Sequence, residues 1–150
     1  MKVRDIMTTA VYSCQPDTDL GAVAGLMWDH DCGFVPVVDA AGAVVGLVTD
    51  RDICIAAATR RLAPERISAS QAMSHAVRAC LPDDSVSEAL AMMKHFKVRR
   101  LPVIDPHGIL QGVVSMNDIA RTTASRPGIP AKEVIATLAE ICEHRTIAAA

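Results

Sequence analysis

The segment Gly46-Leu47-Val48-Thr49-Asp50-Arg51-Asp52-Ile53 returns 66 residues later as Gly112-Val113-Val114-Ser115-Met116-Asn117-Asp118-Ile119. Both segments read G-h-h-[ST]-x-x-D-h, where h is an apolar residue. The same offset aligns residues 4–53 with residues 70–119 without a gap. Self-similarity over this length predicts that the chain contains two copies of one structural unit.

Each copy has the pattern of a short strand, a helix, two strands and a second helix. The first strand is predicted at residues 11–14 and again at 77–80. In the helix that follows, apolar residues recur at i, i+3, i+4 and i+7, with Asp19 as a cap in copy one. In copy two, Ser85 and Glu88 have the spacing of a capping box.

The two later strands of each copy flank a turn that contains glycine, which is typical of a hairpin. They are predicted at residues 34–39 and 44–49 in copy one, and at 100–105 and 109–115 in copy two. The second helices are expected to begin at Asp50 and near Met116.

A unit of this size leaves an apolar sheet face exposed and is marginally stable alone. We therefore expect an α/β (α+β) fold, in which two tandem β-α-β-β-α repeats face each other as a pseudo-twofold sandwich. The expected limits are 1–62 for repeat one, 63–124 for repeat two and 125–150 for a C-terminal helical extension. Such a sandwich would leave clefts between the copies.

Composition excludes several function classes. The hydrophobic fraction is 51%, so a folded core is expected, and no apolar run is long enough to span a bilayer. With no apolar leader at the start, the expected location is the cytoplasm. The net charge of -2 and the aromatic content of 3% argue against nucleic-acid binding. The five cysteines lack metal-binding spacing and are interpreted as reduced thiols.

The doubled motif places a hydroxyl and a carboxylate where a strand runs into a helix. Helix N-termini favour anions such as phosphate, and a carboxylate accepts hydrogen bonds from sugar hydroxyls. This arrangement could hold a nucleotide. The same spacing also describes an ordinary capping box, in which Thr49 or Ser115 caps the helix and Asp52 or Asp118 reaches back.

In its whole length the repeat resembles the CBS domain family, named after cystathionine β-synthase, in its tandem form. The resemblance covers roughly residues 2–123. It is carried by the D-I-M-T and Q-A-M-S openings, the Pro-Val pairs of the middle strands and the doubled G-h-h-[ST]-x-x-D-h. It implies a Bateman-type regulatory module, usually dimeric, that binds AMP, ADP, ATP or S-adenosylmethionine between the copies.

Carried over by position, the resemblance implies that Asp52 and Asp118 bind ribose hydroxyls, with Thr49 and Ser115 near the ribose or phosphate. Arg99 and Arg100, which replace Gly33 and Phe34 of copy one, could supply guanidinium groups to a phosphate. The alternative for these arginines is a solvated strand edge. Apolar walls for the base are expected from Val11, Val35 and Val37 in one cleft and from Val77, Leu101 and Val103 in the other.

The segment after Arg126 lies outside the repeat. Pro127-Gly128 breaks the chain, and a helix with Val134, Leu138, Ile141 and Cys142 on one face is expected after Pro130. This helix could pack on the module, on a second subunit or on another protein, and we favour self-association.

No catalytic or metal-binding constellation is evident. Asp29-His30-Asp31-Cys32 are adjacent at a helix end and do not converge, and His75, His95, His107 and His144 are scattered. The first hypothesis is therefore a regulatory nucleotide sensor without enzymatic activity or a required cofactor, a homodimer that signals to an effector protein not identifiable from sequence. The second is a ligand-free interaction module whose T-x-x-D motifs only cap helices.

Overall fold

The computed structural model of the chain describes residues 1–143. Its helices are α1 (Leu20–Asp29), α2 (Asp50–Arg60), α3 (Ala69–Ala72), α4 (Val86–Phe96), α5 (Met116–Ser125) and α6 (Ala131–Cys142). The strands are β1 (Phe34–Val38), β2 (Val44–Thr49), β3 (Arg100–Ile104) and β4 (Leu110–Ser115). Short 3-10 turns lie at Val3–Asp5 and Pro64–Arg66. The second helices begin at Asp50 and Met116, which confirms the predicted starts.

The two predicted hairpins are present. Strand β1 pairs antiparallel with β2, and β3 pairs with β4. Gly42 and Gly108 occupy equivalent turn positions with φ of 85° and 84°, a conformation that favours glycine. Asp39 and Asp105 precede these turns, and Oδ1 of each carboxylate accepts two backbone N–H groups of its turn. The two copies therefore share turn chemistry as well as strand order.

At the predicted first strands the structure has only one bridged residue per copy. Cys14 forms a parallel bridge with Val37, and Cys80 forms the equivalent bridge with Val103. The N–H of Cys14 donates to the carbonyl of Pro36 at 3.0 Å. The N–H of Val38 donates to the carbonyl of Cys14 at 2.9 Å. Extending this parallel ladder back along residues 11–13 would need an N–H from Pro36, which proline lacks. The proline of each Pro-Val pair thus stops the ladder after one residue.

The described residues form two compact units that differ from the sequence copies. One, here called the β4 unit, contains Met1–Thr9, Arg78–Val103 and residues 111–143. The other, the β2 unit, contains Ala10–Val77 and Ile104–Leu110. The limits of 1–62 and 63–124 predicted from sequence refer to the two sequence copies and stay a prediction. The compact units differ because the opening segment of each copy belongs to the unit of the other copy, and because Ile104–Leu110 of copy two belongs to the β2 unit.

These exchanged segments add a bridge to each hairpin. In the β4 unit, Thr8 and Val113 exchange two backbone hydrogen bonds of 2.9 Å. In the β2 unit, Ser74 and Leu47 do the same at 2.9 and 3.1 Å. Each segment therefore covers part of an otherwise open strand edge within its unit.

The glycines of the doubled motif make this close approach possible. A Cβ atom on Gly112 would lie 2.8 Å from the carbonyl oxygen of Thr8 and 3.0 Å from Sδ of Met7. A Cβ atom on Gly46 would lie 2.8 Å from Cγ of Met73. In both copies, therefore, the strand residue next to the exchanged methionine must be glycine, because a larger residue would collide with the exchanged segment.

Each unit has its own core. In the β4 unit the fully buried members include Val3, Leu90, Met93, Leu101 and Ile119. In the β2 unit they include Leu20, Val23, Val35, Val48 and Ile67. The apolar positions predicted for the first helices, such as Leu20 and Val86, are buried in both units.

The C-terminal helix α6 packs on α4 and α5 of its own chain. Val134 and Thr137 are buried, Ile141 lies against the core, and Lys94 pairs with Glu140 at 3.4 Å. The predicted apolar face was partly wrong, because Leu138 and Cys142 are exposed. One face of α6 thus packs within the chain, and self-association through this helix stays a prediction, since Ile135 and Leu138 are exposed on it. Thr137 was missed because a polar residue carries no hydrophobic signal.

We expect Gly112→Ala to lower the free energy of unfolding by about 1–3 kcal/mol, because the new methyl group collides with backbone that cannot rotate away. Gly25→Ala is the matched control: no atom lies within 4 Å of its added Cβ, and alanine favours the helix interior. Chemical denaturation of both variants checks this. Equal stability of Gly112→Ala and the wild type would contradict the steric argument.

We expect the reactivity of each cysteine toward a thiol reagent to depend on its burial. Burial raises the pKa of Cys14 to about 11 and, with a smaller contribution from Asp84, that of Cys80 to about 12. A buried thiol with a raised pKa is a poor nucleophile. We expect an aromatic disulfide reagent at neutral pH to modify the exposed Cys54 and Cys142 promptly, and Cys14 and Cys80 only after unfolding. Prompt labelling of Cys80 in folded protein, located by peptide mass, would contradict this.

Candidate functional site

The first copy of the doubled motif forms a complete capping box at the start of α2. The N–H and Oγ1 of Thr49 both donate to Oδ2 of Asp52, at 2.8 and 2.7 Å. The N–H of Asp52 returns a bond to Oγ1 of Thr49 at 3.2 Å. The side chains of this pair are therefore fixed by the local sequence at the end of β2.

The second copy repeats this geometry at the start of α5. The N–H and Oγ of Ser115 donate to Oδ2 of Asp118 at 2.9 and 2.6 Å, and the N–H of Asp118 donates to Oγ of Ser115 at 3.2 Å. Among the described residues, no hydrogen bond reaches Oδ1 of either Asp52 or Asp118. Capping therefore uses one oxygen of each carboxylate and leaves the other to accept a ligand hydroxyl.

Asp118 lines an open groove of about 550 Å³ within the β4 unit. One wall is a single face of α5, where residues spaced three or four apart lie next to each other. The other wall is formed by Asp5 and Ile6 of the N-terminal segment. The groove is lined by Asp5, Ile6, Asp118, Arg121, Thr122, Ala124, Ser125 and Arg126. The motif carboxylate thus shares a groove with two guanidinium groups, which the sequence analysis did not select.

Arg99 and Arg100 do not line this groove. Arg99 directs Nη2 to Sγ of Cys142 at 3.5 Å, and Arg100 is the first residue of β3. A signal for the groove arginines was present in the sequence, since Arg121 follows Asp118 by one helical turn. Only the fold, however, shows that the N-terminal segment forms the opposite wall.

The residues predicted as walls for a base are mostly core residues. Val35, Val37, Leu101 and Val103 are fully buried at 0% exposure in the cores of their units. Val11 and Val77 are half-buried, and none of the six lines the groove at Asp118. The burial of Val35, Val37, Leu101 and Val103 supports a role in the cores of the two units.

Residues 1–143 contain no group of three or more His, Cys, Asp or Glu side chains that could hold a metal ion. The segment Asp29-His30-Asp31-Cys32 ends α1, and the ring of His30 stacks on Tyr12 with centroids 3.4 Å apart. His144 lies outside the described residues. No described helix has the length and apolar character needed to cross a membrane.

The sequence pattern of the CBS domain matches this chain twice, at residues 3–59 and 69–125. The chain therefore belongs to the CBS domain family, and its architecture is that of a tandem CBS pair. This confirms the resemblance and the α/β fold predicted from the repeat.

Among curated relatives, hypoxic response protein 1 of Mycobacterium tuberculosis is 30% identical over 145 residues, which cover 97% of this chain and 96% of that protein. Among solved structures, the CBS domain pair of protein MJ0100, in complex with 5-methylthioadenosine and S-adenosyl-L-methionine, is similar with a TM-score of 0.76 and 23% identity. That match covers 83% of this chain and 96% of the other. CBSX2 in complex with AMP has a TM-score of 0.71 and 21% identity, covering 82% and 96%. At these identities the two structures show a shared fold.

Proposed function

We propose that this chain is a regulatory module that binds an adenosine-containing ligand and catalyses no reaction. The observation that carries the proposal is Asp118, whose carboxylate is held by Ser115 through one oxygen and lines a groove with the other unengaged among the described residues. A carboxylate fixed in this way is preorganised to accept ribose hydroxyls without losing further side-chain entropy.

Two structures of the same fold support the class of ligand. One contains 5-methylthioadenosine and S-adenosyl-L-methionine, and the other contains AMP. All three ligands carry adenosine, so the common requirement is recognition of a base and a ribose. We extend this requirement to the present chain and propose AMP, ADP, ATP or S-adenosylmethionine as candidate ligands. Binding would shift a conformational or packing equilibrium by no more than the ligand's differential affinity for the two states, and an effector protein would detect that shift.

A ligand-free interaction module is the second candidate, and the completeness of both capping boxes favours it. Thr49 with Asp52, and Ser115 with Asp118, make both reciprocal hydrogen bonds of a capping box. Capping alone therefore explains why both side chains are present. The two candidates differ in what the aspartate does beyond the cap.

Thermal unfolding with AMP, ADP, ATP and S-adenosylmethionine separates the candidates. A ligand present at about 100 times its dissociation constant adds about 2.7 kcal/mol of stability. We expect this shift to be lost in Asp118→Asn, whose amide oxygen still serves the cap but whose neutral side chain binds ribose hydroxyls more weakly. Asp118→Ala should lose the shift and also about 1 kcal/mol of stability.

Asp17→Asn is the control for this experiment, because Asp17 is an exposed carboxylate outside the groove. Asp52→Asn tests copy one in the same way. If no adenosine ligand shifts the unfolding of nucleotide-free wild-type protein, the interaction module is the better description.

We also propose that the chain forms a homodimer through the helices of the β2 unit. Trp28 on α1 is 88% exposed, and Ile55 on α2 is 46% exposed. The 66-residue offset aligns Trp28 with Lys94, which in the β4 unit pairs with Glu140 of α6. At this position the β2 unit thus has an exposed apolar side chain, whereas the β4 unit has a charged side chain that is paired with α6. Exposed tryptophan of this kind is typical of an interface core.

Trp28→Ser should shift the wild-type dimer toward monomer, because it removes the largest exposed apolar side chain. Light scattering after size exclusion measures the mass at several concentrations. Ile135→Ser is the matched control: Ile135 is 68% exposed on α6, outside the proposed interface. A monomeric wild type, or dissociation by Ile135→Ser alone, would contradict this interface.

A further inference from the structure

We infer that the two subunits of the dimer lie antiparallel across the face formed by α1 and α2, so that Asp31, just past the end of α1 in one copy, pairs with Arg61, the C-cap of α2 in the other. This inference rests on the homodimer proposed above, and it adds the orientation of the second copy and the ion pair that fixes it. The occupant of this face is thus a second copy of the chain, and the charges along the face identify it.

The two helices of this face run in opposite directions within the β2 unit. The end of α1 lies beside the start of α2, because Phe34 pairs with Thr49 and the N–H of Asp50 donates to the carbonyl of Gly33 at 3.5 Å. At the opposite end, the 3-10 turn Pro64–Arg66 contacts both helices. One end of the face is therefore formed by the end of α1 and the start of α2, and the other by the start of α1, the end of α2 and the 3-10 turn.

These two ends carry different charges. Carboxylates predominate at the first end, which contains Asp29, Asp31, Asp50, Asp52 and Arg51. Guanidinium groups predominate at the second end, which contains Arg60, Arg61, Arg66, Asp19 and Glu65. In a symmetric dimer, a twofold axis near the middle of α2, where Ile55 is exposed, would bring each end against the opposite end of the second copy. A parallel arrangement would instead place the carboxylate-rich ends together, and they would repel each other.

The carboxylates at the end of α1 lack a partner in the part of the chain that the structure describes. The helix dipole opposes negative charge at a helix C-terminus, and the last turn of α1 contains no basic residue. Asp29 and Asp31 are both exposed, and neither side chain forms an ion pair or hydrogen bond with a described residue. A cation supplied by a second copy would offset this unfavourable arrangement.

In copy two, the aligned position is covered by a helix of opposite charge. The 66-residue offset aligns Asp31 with Lys97, which pairs with Glu143 at the end of α6 at 2.8 Å. One turn earlier on α4, Lys94 pairs with Glu140 of α6 at 3.4 Å. The β4 unit thus neutralises this helix end within the chain. In the β2 unit the charge at the aligned position is reversed and exposed, so the complementary partner is a basic helix end.

Arg61 is the arginine that is free to supply this charge. Nη2 of Arg60 already donates to the carbonyl of Gln71 at 2.7 Å, whereas the exposed side chain of Arg61 has no hydrogen bond or ion pair with a described residue. Leu62, beside it, is exposed as well. The end of α2 in the second copy therefore offers an apolar contact for Trp28 together with a guanidinium that can bind a carboxylate through two parallel hydrogen bonds.

Exchange of the two charges, with the dimer dissociation constant measured by analytical ultracentrifugation at low salt, tests the inference. Asp31→Lys suits the backbone, because Asp31 has φ of 48° and the aligned Lys97 has φ of 51°. Arg61→Asp places a residue that tolerates the left-handed region at φ of 55°. Each single exchange should raise the dissociation constant about tenfold, because both symmetry-related ion pairs become repulsive. The double variant should return to within about threefold of the wild type.

Lys132→Glu is the matched control, because it changes the net charge as Arg61→Asp does but lies on α6 of the β4 unit, where Lys132 is exposed. It should leave the dissociation constant within about twofold of the wild type. Circular dichroism checks that each variant is folded. The neutral variants Asp31→Asn and Arg61→Gln, which disturb the fold least, should weaken the dimer by a smaller factor than the charge reversals.

The outcomes distinguish this inference from the proposed dimer. If the wild type is a dimer that Trp28→Ser dissociates, but the double exchange does not restore association or the single exchanges do not weaken it, the antiparallel pairing is wrong and the dimer stands. Equal weakening by Lys132→Glu and Arg61→Asp would reduce the effect to net charge and would also overturn the pairing. A monomeric wild type would overturn the dimer and the pairing together.

Discussion

The close approach of an extended segment to a glycine in the neighbouring strand is the constraint on which the rest of this structure depends. Thr8 pairs with Val113 directly beside Gly112, and Ser74 pairs with Leu47 beside Gly46. Each pairing brings the opening residues of one copy into the unit of the other. In the β4 unit, this is what places the N-terminal segment opposite α5 and so creates the groove beside Asp118.

The same few residues do two jobs at the strand-to-helix junction. Ser115 and Asp118 satisfy backbone groups that every helix start leaves unpaired, and in doing so they hold the aspartate in one orientation. A structural motif and a binding motif are therefore not exclusive alternatives here. What would turn the cap into a site is its surroundings, which in the β4 unit include Arg121 and Arg126 along the same helix.

The two copies share their backbone but have diverged in their surfaces. Their hairpin turns and the capping boxes of α2 and α5 match, because these features depend on local hydrogen bonds that a repeated sequence reproduces. The outer helical faces differ: copy two carries Lys94 and Arg121, and copy one carries Trp28 and Ile55 at the aligned positions. This difference assigns the proposed ligand contacts to one unit and the proposed subunit contacts to the other.

The sequence alone was sufficient for the repeat, the hairpins, the helix starts at Asp50 and Met116 and the pairing of each motif hydroxyl with its aspartate. All of these depend on residues a few positions apart, so their spacing is visible in the chain. Tertiary structure decided that Leu101 and Val103 belong to a core, that α6 buries Thr137 and exposes Leu138, and that Arg121 and Arg126 share a groove with Asp118 while Arg99 and Arg100 do not. These outcomes depend on contacts between segments far apart in sequence, and no local pattern encodes which of two plausible faces will meet a distant partner.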